Sequence, residues 1–361
     1  MSSFAPGFLE RQPITAQLLS TCRAIGEFKG KQTLFAQQSP ERLQQLRQVA
    51  MIQSTESSNR IEGVIAPQRR IEALVAQKTT PENRSEQEIA GYRDVLASIH
   101  ANADRLYFTP GLIQQFHRDL YQFQPGAGGQ WKMADNQIEE TAADGTVRVR
   151  FTPVPAYLTP MAMQDLHQLF NRRWDEESFE LLLLIPAYVL DFLCVHPFRD
   201  GNGRMARLLT LLLLHRAGYE VGRYISLERL FEQTKESYYD TLYQSSQGWH
   251  ESQHSLLPWW EYFTGVILAA YREFESRVGV VTTGKGAKRE QVLETIARLP
   301  DRFKVGEIIR ACPGVSQPTI RRVLDELRES GRVQCIQKGK DAQWEKIATA
   351  DSGRSGEKWL T

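Results

Sequence analysis

The chain has 361 residues, 41% of them apolar and 24% charged, with a formal net charge of +1. That length leaves room for two or three domains with cores of their own, and the near-neutral balance gives no sign of a nucleic-acid or membrane partner for the chain as a whole. Cys22, Cys194, Cys312 and Cys335 lie far apart without a CxxC pair, which argues against a zinc site or a disulfide framework and fits a reducing compartment.

The amino-terminal stretch MSSFAPGFLERQP lacks the basic-then-apolar profile of a secretion signal. Ser39-Pro40 offers an N-cap followed by proline at the first helical position, with Leu43, Leu46 and Ala50 on one face of the expected helix. Ser58-Asn59-Arg60-Ile61-Glu62-Gly63 comes next. Gly63 suits the residue just past a helix end, which leaves Glu62 in the last turn. An acid there opposes the helix dipole at a cost on the order of a few tenths of a kcal/mol unless a cation compensates. Ser58 and Glu62 share a face, being four residues apart. Taken alone, the pattern reads first as a solvated acid or a local pair with Arg60.

Ser85-Glu86-Gln87-Glu88 reads as a capping box opening a helix towards His100. Thr109-Pro110 and Thr159-Pro160 repeat the cap-plus-proline signal, opening helices through Leu120 and towards Trp174. Between them, residues 137–141 and 146–151 flank Asp144-Gly145, a dipeptide suited to a tight hairpin turn. Val147, Val149 and Phe151 alternate with Arg148, Arg150 and Thr152, as in a half-buried strand. A lone two-stranded hairpin is marginally stable, so this one should lie against a helical body and keep one edge free.

The longest apolar runs are 181–195, interrupted by Pro186 and Asp191, and 208–214. Each falls short of the roughly 20 residues of a membrane span, so both read as core helices and the chain as soluble and cytoplasmic, with no membrane partner. Helices over 204–216 and 258–278 complete the body. From 281 to 286 the chain turns Gly- and Thr-rich and loses its apolar period. Helices over 289–299, 305–312 and 317–330 follow, with Pro313-Gly314 between the second and third, and then two short strands within 331–344. That order is the order of a winged helix-turn-helix. Expected domains are an N-terminal helical region (1–84), a helical core (85–278), a linker (279–288) and the winged helix with its tail (289–361).

Residues 196–207, HPFRDGNGRMAR, join the two core helices. A lone histidine after an apolar helix is usually a satisfied capping or core residue. Here Gly201 and Gly203 permit a sharp turn with exposed amides, and the helix that starts near Arg204 turns the positive end of its dipole to the same spot. Arg204 and Arg207, three apart, lie on one side of a first turn where acids normally belong. The result is a cationic hole that fits phosphate in charge and fork geometry. Asp200 beside it would repel bare phosphate unless Mg²⁺ sat between them. His196 could then act as a general base towards an incoming hydroxyl. No Lys-Ser/Thr follows the glycines, so this is not a P-loop.

The stretch resembles the Fic family signature, HxF, any residue, Asp or Glu, GNGR, any two residues, Arg. His196, Phe198, Asp200, Gly201, Asn202, Gly203, Arg204 and Arg207 fill every defined position. The resemblance covers roughly 85–275 and implies a mainly α protein: a Fic-type helical core with a β-hairpin flap, followed by the small winged-helix domain. It implies that His196 deprotonates a Ser, Thr or Tyr hydroxyl of a target protein and that AMP passes from ATP to that oxygen. Asp200 would hold Mg²⁺. Asn202 and the amides of Gly201 and Gly203 would hold the α-phosphate with Arg204 further along the chain, Arg207 would reach the γ-phosphate, and Phe198 would anchor the loop. The flap, near 138–155, would align the target segment as an added strand. Tyr239 and Leu242 match the family's adenine-side helix, where aromatic residues at helical spacing are equally core.

Ser58, Glu62 and Gly63 match the family's inhibitory motif, Ser or Thr, three residues, Glu, then Gly or Asn. By resemblance Glu62 pairs with Arg207 and blocks the γ-phosphate position, placing the chain in the class with an N-terminal inhibitory helix. The resemblance also allows self-modification and a homodimer. Over 285–346 there are 14 Lys/Arg against 9 Asp/Glu, with Arg321 and Arg322 on the expected recognition helix and Lys338 and Lys340 on the wing. That surplus permits DNA contact, although winged helices also serve as docking or dimer modules. Three functions follow: a self-inhibited protein adenylyltransferase, a DNA-binding regulator with a nucleotide-sensing Fic core, or Fic-type chemistry in another direction, such as removal of AMP or transfer of a different phosphate-bearing group.

Overall fold

A computed structural model describes residues 3–38, 40–124, 126, 128–141, 146–278, 287–312, 315–337, 339 and 342–347. Over these the protein is mainly α, as its periodicity predicts, with one hairpin and one small sheet. Its described residues group into two compact units, 1–29 with 46–274, and 30–45 with 275–361. Ser39, the Asp144-Gly145 turn, residues 279–286 of the expected linker, Pro313-Gly314, Lys338, Lys340 and the tail beyond 347 lie outside the described residues. No helix among the described residues is long and apolar enough to cross a membrane.

In chain order the helices are α1 (Ala16–Gln38), α2 (Pro40–Ile61), α3 (Gln68–Val75), α4 (Arg84–Asn102), α5 (Pro110–Leu120), α6 (Thr159–Asp175), α7 (Leu181–Val195), α8 (Asn202–Arg216), α9 (Leu227–Gln233), α10 (Lys235–Ser246) and α11 (Leu257–Val278). Strands β1 (Ile138–Thr141) and β2 (Val147–Phe151) form an antiparallel hairpin between α5 and α6, with Glu139 opposite Val149 and a bulge beside Ile138. The first unit is built round α7 and α8, which pack on each other; α6 lies against α7 and α4 against α8. Helix α7 is apolar on nearly all sides, as burial from several directions requires, whereas α8 is apolar over 208–214 and buries Asn202, Arg204 and Arg207 in its first turns. Pro186 breaks the hydrogen-bond ladder inside α7. Indole N–H groups of Trp260 and Trp259 donate to the carbonyls of Leu183 and Pro186 near that break, each at 2.8 Å.

Thr109 caps α5 as its sequence predicts, accepting from the Leu112 amide at 3.2 Å, with Pro110 in the first turn. Three local expectations need correction. Helix α4 is capped by Asn83, which accepts from the Glu86 amide at 3.0 Å, and not by a box at Ser85. Glu86 and Glu88 are instead drawn into ion pairs with Arg70 and Arg204. Thr159 does not cap α6: its hydroxyl donates to the Pro155 carbonyl, because a short 3₁₀ turn, Ala156–Leu158, runs straight into the helix. Val147 and Val149 are 58% and 51% exposed, so the strand is not half-buried over those positions. The described body covers only the base of the hairpin, at Arg150 and Phe151.

The second unit contains α12 (Ala287–Arg298), β3 (Arg302–Lys304), α13 (Val305–Ala311), α14 (Gln317–Glu329), β4 (Val333–Gln337) and β5 (Gln343–Lys346). Its sheet is antiparallel with β5 in the centre, and Phe303 of β3 stands opposite Trp344. Ile296, Phe303, Ile308, Val323 and Leu327 are buried together in its core. Strand β3 escaped the sequence reading because three residues carry too little alternation; its pairing with β5 creates it.

Candidate active site

Helix α7 ends at His196, whose backbone is left-handed (φ 50°, ψ 61°) and whose amide donates to the Phe192 carbonyl at 2.9 Å. That conformation is uncommon for a residue with a side chain and turns the chain sharply away from the helix axis. Gly201, also left-handed at φ 77°, begins α8 without a side-chain cap. A Cβ there would lie 2.9 Å from the Tyr121 hydroxyl, so glycine serves both the turn and the close approach.

Asn202 closes the loop between the two helices. Its Oδ1 accepts from the Phe198 amide at 2.9 Å and its Nδ2 donates to the Phe198 carbonyl at 2.8 Å. Phe198 is fully buried and stacks on His117, with ring centroids 3.7 Å apart. The Gly129 amide donates to His117 Nδ1 at 2.9 Å, which leaves the hydrogen on Nε2 to reach the Asp200 carbonyl at 3.0 Å. Burial holds this imidazole down at about 4, so it stays neutral in that tautomer. Lys132 Nζ donates to the Val195 carbonyl at 3.1 Å and to Asn136 at 2.8 Å, gripping the chain just before His196. His117, Lys132 and Asn136 went unseen in the sequence. They lie some 60 to 80 positions from their partners (|i−j| of 83, 63 and 62), and no local spacing marks them.

His196 is half-buried, and its Nδ1 sits 3.3 Å from the Leu193 carbonyl. A carbonyl accepts only, so Nδ1 carries the hydrogen and Nε2 keeps a free lone pair. Burial, with a contribution from the Lys132 charge, pushes this imidazole down to about 4 against the pull of the Leu193 carbonyl, Glu62 and Asp200. The ring is therefore neutral near pH 7, the state a base requires.

A cavity of about 640 Å³ opens beside it. Glu62, Asp200, Gly201, Asn202, Gly203 and Arg207 line its polar end. Tyr239, Leu242 and Tyr243 of α10 line the other, and Ile138, Glu139, Arg150 and Phe151 of the hairpin lie over it. Arg150 lies 4.6 Å over the Tyr243 ring and 3.5 Å from Asp240, so the hairpin base is tied to α10. The structure thus brings together at one cavity His196, Asp200, both loop glycines, Asn202, Arg207, Glu62, Tyr239 and Leu242. Ser58 and Phe198 stand behind its wall, and Gly63, at φ 79°, shapes the chain leaving α2.

The two arginines part company. Arg204 does not line the cavity, contrary to the sequence expectation for it. It is 2% exposed and pairs with Glu88 at 2.7 Å, while its Nη2 donates to the Tyr121 hydroxyl at 2.9 Å. Burial and the nearby Asp200 charge push the Tyr121 hydroxyl up, against the pull of Arg204. Arg204 is thus turned away from the cavity, its guanidinium claimed by the buried Glu88 of α4. Arg207 reaches the cavity wall. Its Nε donates to Ser58 Oγ at 2.8 Å and its Nη2 to the Ser58 carbonyl at 2.9 Å and to Glu62 Oε1 at 2.7 Å. Burial lowers its proton affinity, but Glu62 and the nearby Tyr238 and Tyr92 raise it overall. Glu62 Oε1 would lie only 2.3 Å from a Cβ on Gly203, so the carboxylate sits against the first turn of α8. Arg60 is not its partner; that guanidinium pairs with Glu56 and Glu232.

Residues 107–214 match the family model described as Fic/DOC family. No curated protein matches the chain in sequence. Among solved structures it is similar to a Fic family protein from Desulfovibrio desulfuricans G20, with 21% identity, a TM-score of 0.61, and coverage of 96% of this chain and 98% of that one. It is also similar to a Fic domain containing signaling protein from Bacteroides thetaiotaomicron VPI-5482 (22% identity, TM-score 0.59, 71% and 97% covered). A third likeness is to Fic-1 from C. elegans, residues 134–508 (18% identity, TM-score 0.57, 72% of each chain). At these identities the structures speak for the fold, and the family match falls on the segment that holds the signature loop. The chain carries a Fic/DOC family domain, the domain of a family of nucleotidyl and phosphate transferases.

Proposed function

We propose that the protein is a protein adenylyltransferase that transfers AMP from ATP to a Ser, Thr or Tyr hydroxyl, and that Glu62 holds it inactive. The observation that carries this reading is the position of the Glu62 carboxylate, 2.7 Å from Arg207 and against Gly203, in the cavity that His196 faces. A carboxylate in that position marks an anion site between a helix N-terminus and an arginine.

In this reading the triphosphate lies along the α8 N-terminus with its terminal phosphate towards Arg207, and the adenine lies against Tyr239 and Leu242. Asp200, exposed at the cavity and held by the Gly201 amide at 2.6 Å, offers the hard oxygen ligand that suits Mg²⁺. When bound, that ion would neutralise charge on the phosphates. His196 Nε2 takes the proton of the target hydroxyl as its oxygen bonds to the α-phosphorus. The bond from the α-phosphorus to the bridging oxygen breaks, and pyrophosphate leaves with that electron pair. The proton on His196 then passes to solvent. Positioning and charge neutralisation supply most of the acceleration in such transfers. Glu62 on Arg207 would deny the terminal phosphate its seat, so ATP could not adopt the reactive pose.

Mass spectrometry of the protein and of lysate proteins after incubation with MgATP tests this. An AMP adduct that disappears with His196→Ala is the expected result. Turnover of ATP without any adduct, or an adduct that persists in His196→Ala, contradicts it.

A further inference from the structure

His196 is held in a conformation that its own sequence disfavours. A residue with a side chain rarely adopts a φ of 50°, and a residue before proline favours extended backbone. Such a conformation persists only where the surroundings fix it. It also decides where the imidazole points. The ring of Pro197 locks that residue's own φ, so the rotations at His196 set the course of the loop.

Lys132 fixes both sides of that residue. Its Nζ donates to the Val195 carbonyl at 3.1 Å and its backbone amide to the Pro197 carbonyl at 2.8 Å. One residue thus pins the carbonyls immediately before and after His196. Lys132 is buried, and burial pushes its ammonium down to about 8 against the pull of Asp135, so the donor is still charged at pH 7. Its Nζ also donates to Asn136 Oδ1 at 2.8 Å, and Asn136 Nδ2 donates to the Phe198 carbonyl at 3.3 Å. Trp131, the residue before Lys132, packs on Phe198 with ring centroids 5.0 Å apart. Lys132 does not line the cavity, so it acts on His196 and not on a bound nucleotide.

We propose that Lys132 is a positioning residue for the reaction, holding the backbone on both sides of His196 so that Nε2 meets the target hydroxyl. The inference rests on the transferase reading of the cavity. Its signature is a slower chemical step with nucleotide binding intact. Reacting geometry is sensitive, a displacement of about 1 Å being enough to cost on the order of a hundredfold in rate.

The test uses the Glu62→Gly protein, with MgATP binding measured by calorimetry and labelling of the protein and of lysate proteins followed from α-labelled ATP. Adding Lys132→Met keeps much of the apolar stem and removes the ammonium. It should slow labelling at saturating ATP by roughly tenfold to a hundredfold and change ATP affinity by less than about twofold. Asn136→Ala takes away the side-chain partner of Nζ and should slow labelling by a smaller factor, with affinity likewise unchanged. That variant decides the matter if Lys132→Met does not fold. Unchanged labelling at saturating ATP, or a matching loss of affinity, overturns the assignment while leaving the nucleotide site standing. If the Glu62→Gly protein itself labels nothing, the transferase reading fails and takes this inference with it.

Discussion

Arg204 and Glu88 meet at 2.7 Å with side chains 2% and 7% exposed, an ion pair sealed between α8 and α4. Glu88 also accepts from the exposed Arg84 at 3.1 Å, so it is the loss of Glu88 that leaves a buried charge, that of Arg204, uncompensated, which typically costs about 3–5 kcal/mol. Glu88→Gln should therefore destabilise the protein by an amount in that range and Arg204→Met by less, each read as a shift of the urea midpoint. The double variant should lose less than the sum of the two, since no orphaned charge remains. Additive losses would show that the pair does not act as a unit.

The buried histidines set the acid limit of the fold. Burial pushes His117, His167, His196 and His254 down to about 4 from 6.5. A folded state that refuses the proton is stabilised above the unfolded value near 6.5, and that stability is lost as pH falls towards 4. Each histidine contributes a slope of up to about 1.4 kcal/mol per pH unit in this window. Asp191, pushed up to about 6 by burial, acts in the opposite sense between 3.8 and 6 and offsets one of them. Urea unfolding at pH 7 and pH 5 should show clearly lower stability at pH 5, and His117→Gln should flatten the dependence. For transfer, kcat/KM reports the free enzyme. Glu62 is one of the groups that pull the His196 value up, so in the Glu62→Gly protein the acid limb of kcat/KM should lie at or below about pH 4, with no histidine step between pH 6 and 8.

The hairpin separates stability from target recognition. Val147 and Val149 are more than half exposed, and exposed substitutions generally change stability by no more than about 0.5 kcal/mol. Val147→Ser with Val149→Ser should leave the melting temperature essentially unchanged. If a target segment lies along the hairpin, the same double variant should raise KM for that target several-fold and leave KM for ATP alone. A large loss of thermal stability would mean that these valines are packed.

How much of this was legible in the sequence depended on whether the information was local. The loop 196–207 was readable because its glycines, Asn202 and His196 act through their own backbone and their nearest neighbours. The Ser58 to Glu62 spacing was readable for the same reason: one helical turn sets both side chains on Arg207. What supports the loop was not. His117, Lys132 and Asn136 owe their roles to partners scores of residues away, and a lone polar residue carries no local sign of such a partner. Arg204 misled because a first-turn arginine near glycines suggests an anion, whereas the fold had already placed Glu88 beside it. The exposed valines of the hairpin misled in the other direction: alternation signals a strand but does not say whether anything covers its apolar side.

The contact between Glu62 and Arg207 bears the weight of the functional reading, and one comparison tests it directly. Wild type and Glu62→Gly should be incubated side by side with Mg²⁺ and ATP labelled at the α-phosphate, alone and in cell lysate, with His196→Ala added to the Glu62→Gly protein as the control. The account predicts labelling increased by about tenfold or more in Glu62→Gly, equivalent to at least about 1.4 kcal/mol of restraint, and background labelling in the control. Equal labelling of wild type and Glu62→Gly would contradict it.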